Sequence, residues 1–369
     1  MQPVTTSNTS QPIYSRIHEK FYPAVIEKVG TVLNEVHSHK ALVFDSDFWF
    51  WQYRDLPTHT TRVYAAMVND EIVGYYHVPT YEGLIGGEKK YLAVVQEVAV
   101  SRKVRRQGVF RKLADFATED LVQSGIHLVY SFPNDRSIHT FLKYNGYSLV
   151  CTLGTHILPV RSGEILQSKV NLLGLERVAG YGTDLFFNLF SVSKSSEARV
   201  HLHREIDRDT IQVFSAYQKA HRIALLRDDR YLRWRFDRRP SSTHFYFSIN
   251  DPDNQKVAVA IFKLDEMFDN PVLVLMDYAY IPGKENYLLQ LIQHVRKHGS
   301  KEIGKQFNLI TTSGNSEFLP LLKKIGFMRV PERFDRRPLK LVVKSLSEQA
   351  EDVLDPQNWH LTLSDWDVL

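Results

Sequence analysis

A strand, a basic loop with one glycine and the start of a helix follow one another directly between residues 97 and 113. The first amides of a helix lack intrahelical acceptors and lie at the positive end of its dipole, so N–H groups there can hold an anion. Arg105, Arg106 and Arg111 add positive charge around Gly108, whose missing side chain allows close backbone approach. A solvated basic turn would also give this pattern, and the residues alone leave both interpretations open.

The stretch resembles the acyl-CoA loop of the GNAT acyltransferase superfamily, written Gln/Arg-x-x-Gly-x-Gly/Ala after a strand. Its positions are filled by Arg105, Arg106, Gln107, Gly108, Val109 and Phe110. Phe110 departs from the small residue expected last, as in similar forms among two-lobed GNAT proteins. Phe132-Pro133-Asn134, followed by Phe141 to Tyr147, resembles the second motif of the superfamily. The resemblance covers about residues 45–155.

This resemblance implies that the protein uses acyl-CoA as a co-substrate. The strand ending at Val100 would splay from its neighbour, and the backbone of Val98 and Val100 would pair with the pantetheine arm. The amides of Arg105 to Phe110 would hold the pyrophosphate, with Arg111 adding charge. Asn134 would contact the pantetheine or the adenine side of the cofactor.

The resemblance also implies direct attack of an acceptor amine on the thioester, which requires a base. Glu97 is the first candidate base and His77 the second, although a plain surface carboxylate would explain Glu97 equally well. Leu142 stands where the superfamily often has an acid tyrosine, and Tyr144 lies about 200° further round a helix. The acid could lie elsewhere, or this copy could be inactive. The preferred interpretation is that the thiolate leaves unassisted. Direct attack needs no covalent nucleophile, so Cys151 is interpreted as a small buried residue.

Several landmarks recur about 180 residues later in the chain. Trp51-Gln52-Tyr53 returns as Trp234-Arg235-Phe236, each followed by a proline, and Gly146-Tyr147 returns as Gly326-Phe327. Strand patterns alternate with helical stripes in both copies. The sequence therefore predicts an α/β fold with mixed sheets, built as two tandem GNAT-like domains, the second degenerate.

The predicted boundaries are a GNAT-like acyl-CoA-binding domain at 1–155, a linker at 156–198, a degenerate GNAT-like domain at 199–346 and a C-terminal tail at 347–369. In the first copy the pattern predicts strands at 63–67, 72–78 and 91–100, the last as one continuous strand. In the second copy the corresponding turn, Tyr280 to Asn286, has no Arg-x-x-Gly-x spacing. We expect no CoA there, and a role in packing or in walling the acceptor site.

Aromatic and arginine-rich stretches are the candidates for binding the acceptor substrate. Trp49, Trp51 and Tyr53 are typical of a core, but such rings can also stack on a sugar or base, so they are predicted substrate-binding residues. The arginine run from Arg227 to Arg239 alternates with aspartates, which favours a salt-bridged face that could still contact a diphosphate.

These features and the Asp-Trp-Asp tail resemble bacterial surface-polysaccharide N-acyltransferases, which act on amino groups of nucleotide-linked deoxysugars. The predicted function is therefore transfer of an acyl group from acyl-CoA to the primary amine of a nucleotide-linked deoxy-amino sugar. An aminoglycoside, a polyamine or a peptide amine are alternative acceptors. A non-catalytic CoA-binding scaffold is the alternative outside the enzyme class.

Composition and local patterns exclude several other classes of protein. The formal net charge is +4, far from that of a bulk nucleic-acid binder, and the single cysteine excludes an intrachain disulfide. His201-x-His203 lacks a spaced third ligand, so no metal is expected. The first residues contain no apolar signal segment, and no apolar run approaches the ~20 residues of a membrane helix. We expect a cytoplasmic protein with no nucleic-acid or membrane partner; the sequence does not indicate an oligomeric state.

Overall fold

A computed structural model of the chain describes residues 11–36, 46–58, 60–160, 198–267, 270–314, 318–335, 338–347 and 351–366. The chain divides into two compact units, each assembled from separate stretches. Unit 1 contains residues 1–81, 91–148 and 342–348, and unit 2 contains 82–90, 149–341 and 349–369. The domain boundaries predicted near residues 155, 198 and 346 remain predictions. Most of the predicted linker, 161–197, and the tail residues 367–369 lie outside the described residues.

The first half of the chain alternates strands and helices. Its strands are β1 (Ile13–Ile17), β2 (Thr61–Val68), β3 (Glu71–Ile85), β4 (Glu88–Val95), β5 (Val98–Val100), β6 (Leu128–Ser131), β7 (Ser148–Leu153) and β8 (Thr155–Pro159). Its helices are α1 (Tyr22–Val36), α2 (Ser46–Tyr53), α3 (Val109–Gln123) and α4 (Ile138–Tyr144). Asn69 and Asp70 join β2 to β3 with φ of 49° and 62°, the left-handed pair that a tight hairpin requires.

The second half repeats this order. Its strands are β9 (Arg199–His203), β10 (Ile223–Leu225), β11 (His244–Asn250), β12 (Lys256–Met267), β13 (Asn270–Tyr280), β14 (Leu309–Ser313), β15 (Met328–Arg329) and β16 (Leu339–Ser345). Its helices are α5 (Arg208–Gln218), α6 (Asp229–Leu232, continued by a π-helical turn, Arg233–Asp237), α7 (Glu285–Ile303) and α8 (Phe318–Lys324).

The two sheets place equivalent strands in the same order. The first sheet has the order β1-β2-β3-β4-β6-β16-β7, with β5 and β10 also paired to β3, and the second has the order β9-β11-β12-β13-β14-β8-β15. Both are mixed, because β4 and β6 run parallel, as do β13 and β14, while their other neighbours run antiparallel. The predicted α/β fold with two tandem mixed-sheet domains is confirmed.

Each sheet contains strands from the other half of the chain: the first contains β16 and the short β10, which pairs with the end of β3, and the second contains β8. β16, near the C-terminal end, pairs antiparallel with β6 through Val342↔Ser131 to Ser345↔Leu128. β8, from the first half, pairs antiparallel with β14 through Leu309↔Pro159 to Ser313↔Thr155. The two copies therefore exchange the strand next to their parallel pair.

Helix α3 packs its apolar stripe on the unit 1 sheet. The stripe consists of Val109, Leu113, Ala114, Ala117 and Leu121, all buried, as the 3.6-residue period predicts. Gly74 on β3 faces the start of this helix, where an added Cβ would lie 3.2 Å from a methyl group of Val109. Glycine at that position lets the helix start lie directly against the strand.

The predicted continuous strand from 91 to 100 is wrong. β4 ends at Val95 and β5 begins at Val98, so Gln96 and Glu97 lie outside both strands. The break is a bulge: β4 lies between β3 and β6, its pairing with β6 ends at Val95, and Gln96 and Glu97 both bond to His77 of β3 before β5 continues along that strand. Glu97 lies in this bulge.

Candidate functional site

The basic loop forms a turn between β5 and α3. A 3₁₀ turn, Arg102–Val104, follows β5, and the exposed side chains of Arg105, Arg106 and Gln107 lead to Gly108. Gly108 has φ of +74° and precedes the helix without a side-chain cap, and a Cβ added to it would meet no atom within 4 Å. The first turn of α3 contains no acidic residue, and Arg111 is exposed beside Asp115. This end of the helix can accept an anion.

Phe110, the departure from the motif, points its ring into the core. The ring lies 5.6 Å from that of Phe141 and 6.2 Å from that of Tyr76, both centroid to centroid and edge on. The large side chain thus stabilises the contact between α3, α4 and β3 and leaves the loop backbone open. The backbone amide of Phe110 is still available in the first turn of the helix.

Glu35 of α1 holds the start of the loop. Its carboxylate accepts hydrogen bonds from the Arg102 amide at 2.7 Å and from the Ser101 hydroxyl at 2.9 Å. Burial acts to raise its pKa, but these donors and the positive charge of Arg102 and Arg105 outweigh burial and lower it. No sequence motif pointed to Glu35, because it lies more than sixty residues before its partners.

The candidate bases lie beside two aromatic rings in unit 1. The Tyr53 hydroxyl donates a short hydrogen bond to the Glu97 carboxylate. The Tyr53 ring stacks on His77 with centroids 3.4 Å apart, and His77 Nε2 shares a hydrogen bond of 2.7 Å with Thr61 Oγ1. The His77 amide also donates to the Glu97 carbonyl at 2.9 Å. The structure therefore brings Glu97 and His77, predicted separately, to one cluster with Tyr53.

The three groups differ in their access to solvent and in charge. Glu97 is partly exposed, whereas Tyr53 and His77 are buried. Burial lowers the pKa of His77 well below its usual range. Burial, followed by the charge of Glu97, raises the pKa of Tyr53 well above 10. At neutral pH the histidine and tyrosine are therefore uncharged.

The predicted acceptor-binding rings are inside the protein. Trp49 and Trp51 are each 3% exposed and Tyr53 2%. Trp49 stacks on Tyr53 with centroids 4.0 Å apart and meets Tyr22 edge on. These contacts make Trp49 and Tyr53 part of a buried cluster beneath the unit 1 sheet; a substrate-binding role for the three rings stays a prediction.

The second motif presents mostly exposed groups. Asn134 is exposed and its side-chain oxygen accepts from the amides of Arg136 and Ser137, at 3.0 and 3.1 Å. Leu142 and Tyr144 on α4 are 37% and 43% exposed. The Tyr144 ring contacts His139 and Lys143 of its own helix. Burial raises the pKa of the half-buried Cys151 thiol to about 11, which disfavours a thiolate.

Unit 2 contains a counterpart of Glu97. The β12–β13 register shifts between Ile261 and Phe262, so that Asp277 follows an extra residue at the same point of the ladder. Two residues before each acid, a hydroxyl from the parallel neighbour bonds a carbonyl: Ser131 to Val95 at 2.8 Å and Thr312 to Leu275 at 3.1 Å. The repeat spacing could have identified Asp277 from the sequence, because it follows Glu97 by about 180 residues.

Asp277 is enclosed by a buried ionic network. Arg227 donates to Asp277 at 3.2 Å and to Asp365 at 2.6 Å, and the Ser364 hydroxyl donates to Asp277 at 2.7 Å. Arg227, Asp277 and the Asp365 side chain are at most 1% exposed. Burial raises the pKa of Asp365, and Arg227 opposes this effect. The predicted salt-bridged nature of the arginine run agrees with these contacts and with Arg233, which pairs with Asp229 at 2.7 Å.

The network includes the C-terminal segment, whose described part packs into unit 2. Trp359, His360 and Asp365 are buried, and the His360 amide donates to the Ile223 carbonyl at 2.8 Å. Among the residues that the structure describes, no group of three or more His, Cys, Asp or Glu side chains could hold a metal. No helix in that part of the chain has the length and apolarity to cross a membrane.

In a comparison with protein families, residues 14–150, somewhat more than a third of the chain, match the model described as an acetyltransferase (GNAT) domain. This span contains the basic loop, Glu97 and the second motif. A search of curated proteins finds no match.

Solved structures share the fold over nearly the whole chain. A GCN5-related N-acetyltransferase from Anabaena variabilis is 12% identical, with a TM-score of 0.62 over 91% of this chain and 73% of its own. A GCN5-related N-acetyltransferase from Kribbella flavida is 11% identical, with a TM-score of 0.59 over 91% and 71%. Saccharomyces cerevisiae N-myristoyltransferase with bound myristoyl-CoA is 12% identical, with a TM-score of 0.55 over 91% and 79%. At these identities the likeness shows a common fold.

Proposed function

We propose that unit 1 transfers an acyl group from acyl-CoA to a primary amine, a proposal supported by the match of residues 14–150 to a GNAT acetyltransferase domain model. The observation that carries the proposal is the position of Glu97. It lies in a bulge opposite His77 of β3, just past the end of the β4–β6 ladder and three residues before the strand end that leads into the basic loop. A carboxylate and an anion-binding helix start are therefore joined by one short strand.

The donor would lie along β5 and the loop. β5 pairs with β3, while the parallel ladder of β4 and β6 has ended at Val95 and Ser131. The backbone of Val98 and Val100 can then pair with the pantetheine amides. The first amides of α3, with Arg105, Arg106 and Arg111, would neutralise the pyrophosphate.

The reaction proceeds without a covalent enzyme intermediate. The acceptor nitrogen attacks the thioester carbonyl, a C–N bond forms, and the carbonyl π electrons move to oxygen. When the tetrahedral intermediate collapses, the C–S bond breaks and CoA leaves as a thiolate. The proton lost by the nitrogen goes to Glu97, so that an amide, CoA thiolate and a protonated carboxyl result. Solvent then takes that proton.

His77 is a weaker candidate for the base. It is completely buried beneath the Tyr53 ring, and its Nε2 is engaged with Thr61. An acceptor would have to displace Tyr53 to reach it. Glu97 is partly exposed and requires no such movement.

No acid residue is assigned to the thiolate. Leu142 occupies the position of the acid tyrosine in the superfamily motif, and Tyr144 contacts only its own helix among the ring contacts of the described residues. A thiolate is a far weaker base than the attacking amine, so its departure requires less help. We infer that proton donation is not essential here.

For the acceptor, we keep the nucleotide-linked deoxy-amino sugar as the first compound class to test. The fold supports it no more than an aminoglycoside, a polyamine or a peptide amine, because Arg227 and Arg233 are occupied by aspartates. The donor acyl length is equally open to test, since one structural neighbour holds myristoyl-CoA.

The deciding experiment is product mass spectrometry. Purified protein is incubated with pooled acyl-CoAs from two to fourteen carbons (about the range spanned by acetyl and myristoyl groups) and with separate pools of the four amine classes. A mass gain equal to one acyl group on one amine, absent in Glu97→Gln, supports the proposal. CoA binding by calorimetry with no product in any pool would favour a non-catalytic scaffold.

A further inference from the structure

Tyr53 carries a hydroxyl that its packing in the core does not require. The ring is stacked between Trp49 and His77, and its edge brings the hydroxyl to the Glu97 carboxylate, to which it donates a hydrogen bond. Phenylalanine would fill the same stacked space. The hydroxyl therefore requires an explanation apart from packing.

The second copy supplies the comparison within the same chain. Trp51-Gln52-Tyr53 corresponds to Trp234-Arg235-Phe236, and Phe236 is as buried as Tyr53. The counterpart carboxylate, Asp277, has Arg227 and Ser364 as its partners. Where the phenol is absent, the carboxylate is neutralised by a buried cation; where the phenol is present, the carboxylate is partly exposed.

We propose that Tyr53 is a positioning residue for Glu97, whose hydroxyl aims the carboxylate and holds it in the ionised form ready to accept the amine proton. The inference rests on the proposed role of Glu97 as base. A donor to a carboxylate stabilises its charged form, and a ring clamped on two faces fixes the direction of that donor. The carboxylate of Glu97 is then ionised and oriented before the amine binds.

The ring groups packed against this pair are uncharged near pH 7. β3 presents Tyr75 and His77 to Tyr53, and α1 presents Tyr22 to Tyr75. Burial raises the pKa of both Tyr75 and Tyr22 and lowers that of His77. All three are neutral near pH 7, whereas the Tyr53 hydroxyl donates directly to the carboxylate, so its removal should alter the titration of Glu97.

The direct test is a titration of the Glu97 carboxyl in the free protein, which needs no known acceptor. Protein labelled with carboxyl-¹³C glutamate is titrated by NMR, and the Glu97 signal is assigned by its loss in Glu97→Gln. In Tyr53→Phe we expect the midpoint to rise by about one pH unit, since one charged hydrogen bond is lost. An unchanged midpoint in a folded Tyr53→Phe protein would overturn the inference.

Tyr22→Phe is the matched control, because Tyr22 lies in the same buried cluster and its hydroxyl donates to the Thr61 carbonyl at 3.3 Å. We expect no shift in this variant; an equal shift would show a general effect of lost hydroxyls and reject the positioning role. CoA calorimetry and thermal unfolding establish that both variants are folded.

Turnover separates this inference from the function on which it rests. With an acceptor from the product screen, Tyr53→Phe should lower kcat about tenfold or more with KM for acyl-CoA unchanged, and should have no further effect in Glu97→Gln. Full activity of Glu97→Gln would remove the base assignment itself. Loss of activity in Glu97→Gln with normal activity and titration in Tyr53→Phe would remove only the role of Tyr53.

Discussion

Glu97 and Asp277 occupy the same point of two related ladders but have opposite surroundings. Glu97 is partly exposed and is bonded by a phenol. Asp277 is fully buried and is bonded by Arg227 and by the C-terminal Ser364. The carboxylate of Glu97 is therefore accessible for chemistry, whereas that of Asp277 binds the C-terminal segment.

The helix starts that follow the two strands differ in the same sense. α3 begins after Gly108 with no acidic residue in its first turn and with arginines around it. α7 begins with Glu285, and the preceding Lys284 bonds Asp251 at 2.7 Å. A carboxylate at a helix N-terminus already satisfies the positive end of the dipole and repels a phosphate. The two copies therefore differ in both parts of the proposed site, the candidate base and the anion-binding helix start.

The largest expected contrast is between Glu97→Gln and Asp277→Asn. Glu97→Gln should lower kcat by roughly 10²–10⁴-fold, since it removes the proton acceptor, while CoA affinity stays nearly constant. Asp277→Asn should lower the unfolding temperature and leave kcat of the folded protein within a few-fold. Steady-state kinetics with the screened acceptor checks both; activity of Glu97→Gln close to the native value would make His77 or a water chain the next candidate base.

Arg227→Met tests whether the second carboxylate has become structural. The substitution leaves Asp277 and Asp365 buried without their cation, so the free energy of unfolding should fall by about 3–5 kcal/mol. Arg230→Met, three residues further along the chain but exposed beside Glu82, should change it little. Chemical unfolding followed by tyrosine and tryptophan fluorescence measures both. Equal losses in the two variants would argue against a special role for the buried network.

Gly108→Asp and Gly283→Asp form a matched pair at the two helix starts. Both glycines have positive φ and open space around a Cβ, so backbone strain is similar. The carboxylate at 108 should weaken CoA binding by well over tenfold, at least ~1.4 kcal/mol, because it faces the pyrophosphate. The variant at 283 should bind normally. Calorimetry should also give one CoA per native chain, and a stoichiometry of two would contradict a degenerate second copy.

The last expected effect concerns pH and His221 of unit 2. Burial, then Arg227, lowers the pKa of His221 to about 4. The unfolded chain takes up this proton near pH 6.5 and the folded one only near 4, so stability should fall as pH drops from 7 to 5, by about 2 kcal/mol for this residue. Urea unfolding at both pH values measures the fall. His221→Gln should reduce it, and an unchanged pH dependence would assign the effect to other groups.

Local patterns predicted much of unit 1. The apolar stripe of α3, the Asn69–Asp70 turn and the strand–loop–helix order follow from neighbouring residues, and repeat landmarks predicted a second domain. The break at Gln96 was missed, because a bulge opposite His77 depends on the pairing with the neighbouring strands rather than on the apolar run itself. The contacts of Glu35 and Asp365 were missed for the same reason: they join residues far apart in the chain.

The strand exchange bears on how this protein emerges from the ribosome. β6 is complete at Ser131, but its neighbour β16 begins only at Leu339, about two hundred residues later. At 5–20 residues per second, the first sheet waits on the order of ten seconds or more with an unpaired edge. Such an edge can pair with a neighbouring nascent chain.

The late pairing of β16 also limits which truncations the fold can tolerate. A frameshift or stop codon in the second half before residue 339 removes β16 and so deprives the first sheet of a strand as well. The second copy can therefore lose its own chemistry without becoming dispensable, because the first sheet is completed only by the last strand that the second half encodes.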